Sequence, residues 1–211
     1  MNIITSDLIL LRHGETSGQS SVRFYGSTDI ELSDPGREQM RRAGAALKDV
    51  TFKTVITSPL ERSGEGASIV LDGRSPVPVV IEDFREIDFG EWEGLTDAEI
   101  QKRDPDSHKA WKETGSFARF PGGDSRTGFY NRVKTSARSV FNSTELPILA
   151  VLHKGVIRGI LSALLDIPVG EMINHPIELG SLHLLRKLTE SWELDKTNEI
   201  GHLGECRIEH S

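Results

Sequence analysis

The sequence predicts an α/β fold, a three-layer α/β/α arrangement around a mostly parallel central sheet. Two continuous aliphatic runs, at residues 8–11 and 146–152, support this prediction because uninterrupted apolar strands are typical of sheets covered on both faces. Around these runs, short segments rich in β-branched residues alternate with segments of helical periodicity, as in α/β domains. A polar and mostly helical stretch at about 92–144 breaks the alternation, and we expect it to lie over the strand ends as a helical insertion.

The remaining elements each have a local sequence signal. A helix is expected to begin after Ser33, which can cap it, with Pro35 in its first turn. Asp124 or Ser125 can cap a second long helix that runs to about residue 141. The other predicted strands cover 54–57, 77–81, 181–186 and 191–194, and the other predicted helices cover 60–71 and 156–165.

Composition narrows the classes of partner. The formal net charge is −7, which argues against nucleic acid or an anionic membrane surface as the main partner, since both favour basic proteins. Cys206 is the single cysteine, so no internal disulfide can form, and residues 1–7 carry no basic segment or long apolar core. We therefore expect a cytoplasmic protein that forms one domain over residues 1–211 and binds a small molecule; a homodimer is left open.

Two of the predicted strands end in a histidine. The first aliphatic run is followed by Arg12 and His13, and the second by His153. In open α/β sheets, ligands bind just outside the carboxyl ends of the strands. Arginine carries a planar cation that matches phosphate oxygens, and a neutral imidazole is a nucleophile that can accept a phosphoryl group. A lone histidine at a strand end is more often structural, but two at one edge beside an arginine predict a phosphate-accepting site.

Two further charged residues are expected at the same edge. Arg62 lies in the opening turn of the helix after the strand at 54–57, and Glu86 follows the strand at 77–81. Phosphoryl transfer spreads negative charge over the equatorial oxygens of its transition state, so catalysis depends on positioning and on cations. The arginines and a histidine can supply that clamp, while a carboxyl group protonates the leaving alcohol and later deprotonates water.

Longer motifs surround these residues and follow one another along nearly the whole chain: Leu11-Arg12-His13-Gly14-Glu15-Thr16, Ser58-Pro59-Leu60-Glu61-Arg62, Glu86 with Phe89-Gly90-Glu91-Trp92, Pro121-Gly122-Gly123-Asp124-Ser125, and His153-Lys154-Gly155-Val156-Ile157-Arg158. They resemble the histidine phosphatase superfamily, the phosphoglycerate mutase-like proteins. The resemblance implies that His13 is the phosphorylated nucleophile and Glu86 the proton donor. It further implies a phosphate pocket of Arg12, Arg62 and His153, and a reaction that needs neither a metal nor a cofactor.

Two positions depart from the family pattern. Gln19 stands six residues after the nucleophile, where the family often has asparagine. Lys154 follows the second histidine, where glycine is usual. Both are included in the predicted phosphate-binding set, Lys154 because its backbone N–H can still donate and its side chain can add positive charge.

The expected activity is hydrolysis of a small phosphomonoester, for example α-ribazole phosphate or a sugar phosphate, through a phosphohistidine intermediate. A cofactor-dependent phosphoglycerate mutase is the nearest alternative, but this chain has Leu95-Thr96-Asp97 where such mutases carry a lysine for the phosphoglycerate carboxylate. A non-catalytic phospho-ligand-binding module is the second alternative, against which the complete set of catalytic side chains argues. A metal enzyme is the third, and the remaining histidines lack paired metal-ligand spacing: His108, His175, His183, His202 and His210.

Overall fold

Six strands form one sheet at the centre of the part of the chain that the structure describes. A computed structural model describes residues 6–114 and 119–208, with the backbone alone at 113 and 114. The strands are β1 (Leu8–Arg12), β2 (Thr54–Thr57), β3 (Val79–Val80), β4 (Ile148–Leu152), β5 (Leu182–Lys187) and β6 (Trp192–Glu199). Their order is β3-β2-β4-β1-β5-β6, parallel from β3 to β1 and antiparallel at β5 and β6. The predicted mostly parallel sheet is confirmed.

Helices cover both faces of this sheet. They are α1 (Asp34–Ala46), α2 (Glu61–Leu71), α3 (Asp97–Arg103), α4 (Pro105–Thr114), α5 (Arg126–Ser143), α6 (Lys154–Leu164) and α7 (Val169–Met172). Because side chains alternate along a strand, Ile9 and Leu11 of β1 pack in one core with α1 and α2. Leu8 and Leu10 pack in a second core with α5 and α6. The α/β fold class and its three layers are therefore confirmed.

The helix starts follow their sequence signals. Ser33 caps α1 by accepting a hydrogen bond from the Gly36 N–H, and Ser125, rather than Asp124, caps α5. At the end of the predicted insertion, α5 does not lie over the strand ends but packs along α6 in the second core. The helices that reach the strand-end edge are α3 and α4. Among the described residues, no helix combines the length and the apolar character needed to cross a bilayer.

The edges of the sheet differ from the sequence expectation. β3 has only two residues instead of five, and both valines are about half exposed because this strand pairs on one side only. β6 continues to Glu199, five residues beyond its predicted end. Its second half is polar and at most half-buried, so it carries no apolar signal, and its ladder of hydrogen bonds with β5 holds it in the sheet. The four-residue helix α7 is too short to show a period.

Candidate active site

The carboxyl ends of β1 and β4 place two histidines side by side. β1 and β4 are neighbours in parallel register, and the backbone N–H of His13 donates to the Leu152 carbonyl at 2.9 Å. The ring centroids of His13 and His153 are 5.1 Å apart with an interplanar angle of 61°. His13 is 4% exposed and His153 is fully buried. The sheet thus brings together the two histidines that the sequence places at strand ends.

His13 has a defined tautomer. Its Nδ1 lies 2.7 Å from the Gly14 carbonyl oxygen, which can only accept, so Nδ1 carries the ring hydrogen and Nε2 keeps a lone pair. Burial, followed by the nearby Arg62 and Arg12 guanidinium groups, lowers the pKa of His13 well below its ordinary value. The ring is therefore neutral at physiological pH, the state in which an imidazole acts as a nucleophile.

Ser58 orients the second histidine. It follows β2, and its Oγ lies 2.6 Å from His153 Nε2 while it accepts the Leu60 N–H at 3.1 Å. The tautomer that satisfies both groups has the Ser58 hydroxyl donating to Nε2 and the ring hydrogen on Nδ1, which has no partner within the described residues. Burial lowers the pKa of His153 well below its usual value, and the neighbouring Arg62 lowers it further. Sequence reasoning assigned Ser58 no role, although it follows a strand as both histidines do.

Two buried arginines adjoin these histidines. Arg12 donates from Nη1 to the Ile177 carbonyl at 2.8 Å, and burial lowers its pKa to about 10, so it remains a cation at neutral pH. Arg62, in the first turn of α2, is fully buried and donates to the carbonyls of Gly26 at 2.6 Å and Thr28 at 2.9 Å. Burial also lowers the pKa of Arg62. Backbone carbonyls hold both guanidinium groups without neutralising them, which preserves their positive charge.

Glu86 reaches the same edge from the opposite side. Its Oε2 accepts the Gly155 N–H at 2.8 Å, and its Oε1 accepts the Ile87 N–H at 3.0 Å. Gly155 permits this approach, because a Cβ atom there would lie 2.5 Å from Glu86 Oε1. We name Arg12, His13, Arg62, Glu86 and His153 the floor of the site. All five are at most 6% exposed.

The two positions that depart from the family pattern differ in placement. Lys154 is half-buried and lines a cleft together with Arg12, His13 and Glu86. Gln19 is exposed, has a positive φ of 63°, and is not among the residues that line the cleft. The exposure of Gln19 sets it apart from the buried floor residues, and a phosphate contact by its side chain stays a prediction.

Three floor residues, Arg12, His13 and Glu86, line a cleft with a volume of about 630 Å³, whereas Arg62 and His153 are not part of its lining. Its far side, which we name the wall, consists of Phe24, Tyr25, Phe89, Trp111 and Lys112. The four aromatic side chains are half-buried, and Phe24 packs edge-on against Trp111 at a centroid distance of 5.3 Å. Lys112 lies over the Trp111 ring and forms an ion pair of 2.9 Å with Asp97. Sequence reasoning did not find the wall, because its members come from two loops and the insertion and no single motif joins them.

The remaining histidines lie apart from the floor. His108 pairs with Asp97 in the insertion, and His175 and His183 both contact the Thr197 hydroxyl. His202 donates to the Gly180 carbonyl, and His210 lies outside the described residues. Over residues 6–114 and 119–208, no three histidine, cysteine or acidic side chains converge as metal ligands would.

Comparison with known proteins places this geometry in a family. Residues 8–200 match the family model of the histidine phosphatase superfamily (branch 1). The glucosyl-3-phosphoglycerate phosphatase of Mycolicibacterium vanbaalenii is 32% identical over 171 residues, which cover 77% of this chain and 75% of that protein. Phosphoserine phosphatase 1 of Hydrogenobacter thermophilus is 28% identical over 96% of both chains.

A solved structure gives the same result. The crystal structure of the α-ribazole phosphatase from Shigella flexneri matches with a TM-score of 0.84 and 26% sequence identity, covering 92% of this chain and 96% of that one. A match over 92% of this chain agrees with the α/β fold described above. This chain therefore belongs to the histidine phosphatase superfamily, and it is a phosphatase.

Proposed function

We propose that this protein hydrolyses a small phosphomonoester by transferring the phosphoryl group to His13 and then to water. The observation that carries the proposal is the state of His13: a neutral ring with Nδ1 hydrogen-bonded to a carbonyl and Nε2 free, flanked by Arg12 and Arg62. An uncharged nucleophile between two fixed cations suits attack on a phosphate dianion.

In the first step, His13 Nε2 forms a bond to phosphorus and the bond from phosphorus to the ester oxygen breaks. Glu86, in its protonated form, gives its proton to the leaving alkoxide, and the alcohol departs. In the second step, Glu86 takes a proton from water, the resulting hydroxide attacks phosphorus, and the phosphorus–nitrogen bond breaks. Inorganic phosphate leaves, and His13 and Glu86 return to their starting states. The position of Glu86 on the cleft, beside Lys154, supports its assignment to the leaving-group side.

The remaining members of the floor stabilise charge. Arg12 and Arg62 present guanidinium groups to the equatorial oxygens, which gain negative charge in the transition state. The unpartnered Nδ1–H of His153 offers a further donor, and Ser58 maintains the tautomer that provides it. No metal, cofactor, nucleic acid or membrane takes part in the proposed reaction.

The substrate is a phosphorylated metabolite larger than phosphate itself, because the cleft of about 630 Å³ extends well beyond the floor. α-Ribazole phosphate and sugar phosphates are examples, and the phosphatases named for α-ribazole and for glucosyl-3-phosphoglycerate support this class. We place the reaction in the cytoplasm, in keeping with a single cysteine.

Hydrolysis of p-nitrophenyl phosphate in excess EDTA, by the wild type and by His13→Ala, tests the proposal. We expect EDTA-resistant turnover that falls by about a thousandfold or more in the variant, because removing a nucleophile abolishes its pathway. His175→Ala, a half-buried histidine outside the floor, should stay within a few-fold of the wild type. Turnover that survives His13→Ala, or that EDTA abolishes, would contradict the proposal.

A further inference from the structure

Lys154 is a cation of the cleft without a counter-ion. It is the first residue of α6 and lines the cleft beside Glu86, yet no carboxylate of the described residues forms an ion pair with its ammonium group. Lys112, by contrast, pairs with Asp97 at 2.9 Å, and Arg23 pairs with Glu99 at 3.0 Å. Among the described residues, Lys154 is thus a half-buried cation of the cleft that no carboxylate contacts directly.

The position of Lys154 separates it from the floor cations. Its chain neighbour Gly155 donates to Glu86 Oε2, so Lys154 stands beside the proposed proton donor, where the leaving group departs. The transferred phosphoryl group already meets Arg12, Arg62 and the donor of His153. A third full cation on the leaving-group side is not needed for the phosphoryl group and would suit an anion carried by the leaving group.

Burial disfavours the charged form of Lys154 in the free protein. Burial, followed by repulsion from Arg12 and Arg158, lowers the pKa of Lys154 to about 8, and the attraction of Glu86 offsets only part of this effect. A carboxylate on the substrate would restore the favourable environment of the ammonium group.

We propose that Lys154 binds a carboxylate on the leaving group, so that the preferred substrate is a phosphorylated hydroxy acid or amino acid. The inference rests on the proposed function and adds a substrate class to it. It reassigns Lys154 from the predicted phosphoryl pocket to the recognition of the leaving group. Neutral leaving groups, such as those of α-ribazole phosphate and simple sugar phosphates, would then be bound less well.

Two substrate pairs that differ in one carboxylate isolate this contact: O-phosphoserine with O-phosphoethanolamine, and 3-phosphoglycerate with glycerol 3-phosphate. Each compound is measured as a substrate and as a competitor of p-nitrophenyl phosphate hydrolysis, so a slowly hydrolysed compound still reports its affinity. We expect the wild type to prefer the acid of each pair by about ten- to hundredfold, the range for a hydrogen bond between charged groups. Lys154→Met should remove that preference, and Lys154→Arg should restore it.

Lys112→Met is the matched control, since it removes a cation of the same cleft that already has a partner; it should change the preference less than Lys154→Met does.

As a second measurement, the wild-type preference should decline as pH rises through about 8, while that of Lys154→Arg persists. A wild type that does not discriminate, or a preference that survives Lys154→Met, would overturn the proposal. Equal losses for both members of a pair would return Lys154 to the phosphoryl pocket. None of these outcomes bears on the proposed function, which fails only if turnover survives His13→Ala or is abolished by EDTA.

Discussion

The floor and the wall of the cleft are built in different ways. Each floor side chain lies at a strand end or in the segment that follows a strand, and is at most 6% exposed. Arg12 and Arg62 are fixed by backbone carbonyls distant in sequence, at Ile177, Gly26 and Thr28. The wall side chains come from two loops and the insertion, remain partly exposed, and are held by aromatic contacts with one another and with Trp92 and Phe120. We therefore expect the chemical step to depend on the floor, and the wall to act on substrate binding together with Lys154.

Substitutions in the floor and in the wall are expected to change the kinetic constants differently. A floor group that is buried and hydrogen-bonded has no alternative position, so its loss should act on the chemical step. A wall group that is half exposed can be replaced in part by solvent or by a neighbouring ring, so its loss should act on binding. Substitutions in the two regions should therefore differ both in size and in the kinetic constant that they change.

Arg62→Lys should give the larger effect. Lysine keeps a positive charge but loses the planar fork that binds the Gly26 and Thr28 carbonyls. We therefore expect kcat/KM to fall by about 10²–10³-fold, the usual loss for one transition-state donor. Arg74→Lys is the matched control, because Arg74 also donates to several backbone carbonyls but belongs neither to the floor nor to the cleft lining. Steady-state kinetics and melting curves on both variants measure these effects. Wild-type activity in Arg62→Lys would contradict the requirement for a fixed guanidinium group.

Trp111→Ala should give the smaller effect. It removes the ring that contacts Phe24, Trp92 and Lys112, and aromatic contacts of this kind contribute about 0.5–1.5 kcal/mol. We expect KM to rise about two- to tenfold for substrates with large leaving groups, with kcat nearly constant. Trp192→Ala, at a buried tryptophan of β6, should lower the melting temperature without this change in KM. A fall in kcat rather than a rise in KM for Trp111→Ala would remove the distinction between wall and floor.

The sequence predicted the floor because its members combine a strong local signal with a simple topological rule. An aliphatic run that ends in a charged residue marks a buried strand and its carboxyl end, and parallel strands bring such ends to one edge. His13 and His153 meet for this reason, and β1 and β4 prove to be direct neighbours. Glu86 was placed by the same rule, although the strand before it is only two residues long.

The wall could not be predicted, because its residues meet only through tertiary packing. Phe24 and Trp111 are far apart in sequence, and neither position carries a periodic or motif signal that marks it as a cleft residue. The role of Ser58 was missed for a related reason, since a serine after a strand has many hydrogen-bonding options and only the position of His153 selects one. For Gln19 the limit is different: its spacing from His13 matches a family position, but spacing alone does not determine the orientation of an exposed loop side chain.

The central claim is that His13 carries the phosphoryl group, and trapping that intermediate tests it most directly. In Glu86→Gln, p-nitrophenyl phosphate should still phosphorylate the enzyme, because nitrophenolate leaves without a proton, whereas the attack of water loses its base. A phosphoenzyme should therefore accumulate. An alkaline quench followed by intact-mass and peptide analysis should place one phosphoryl group on His13, and Glu86→Gln combined with His13→Ala should carry none. A phosphoryl group on another residue, or turnover by Glu86→Gln without any phosphoenzyme, would contradict the account.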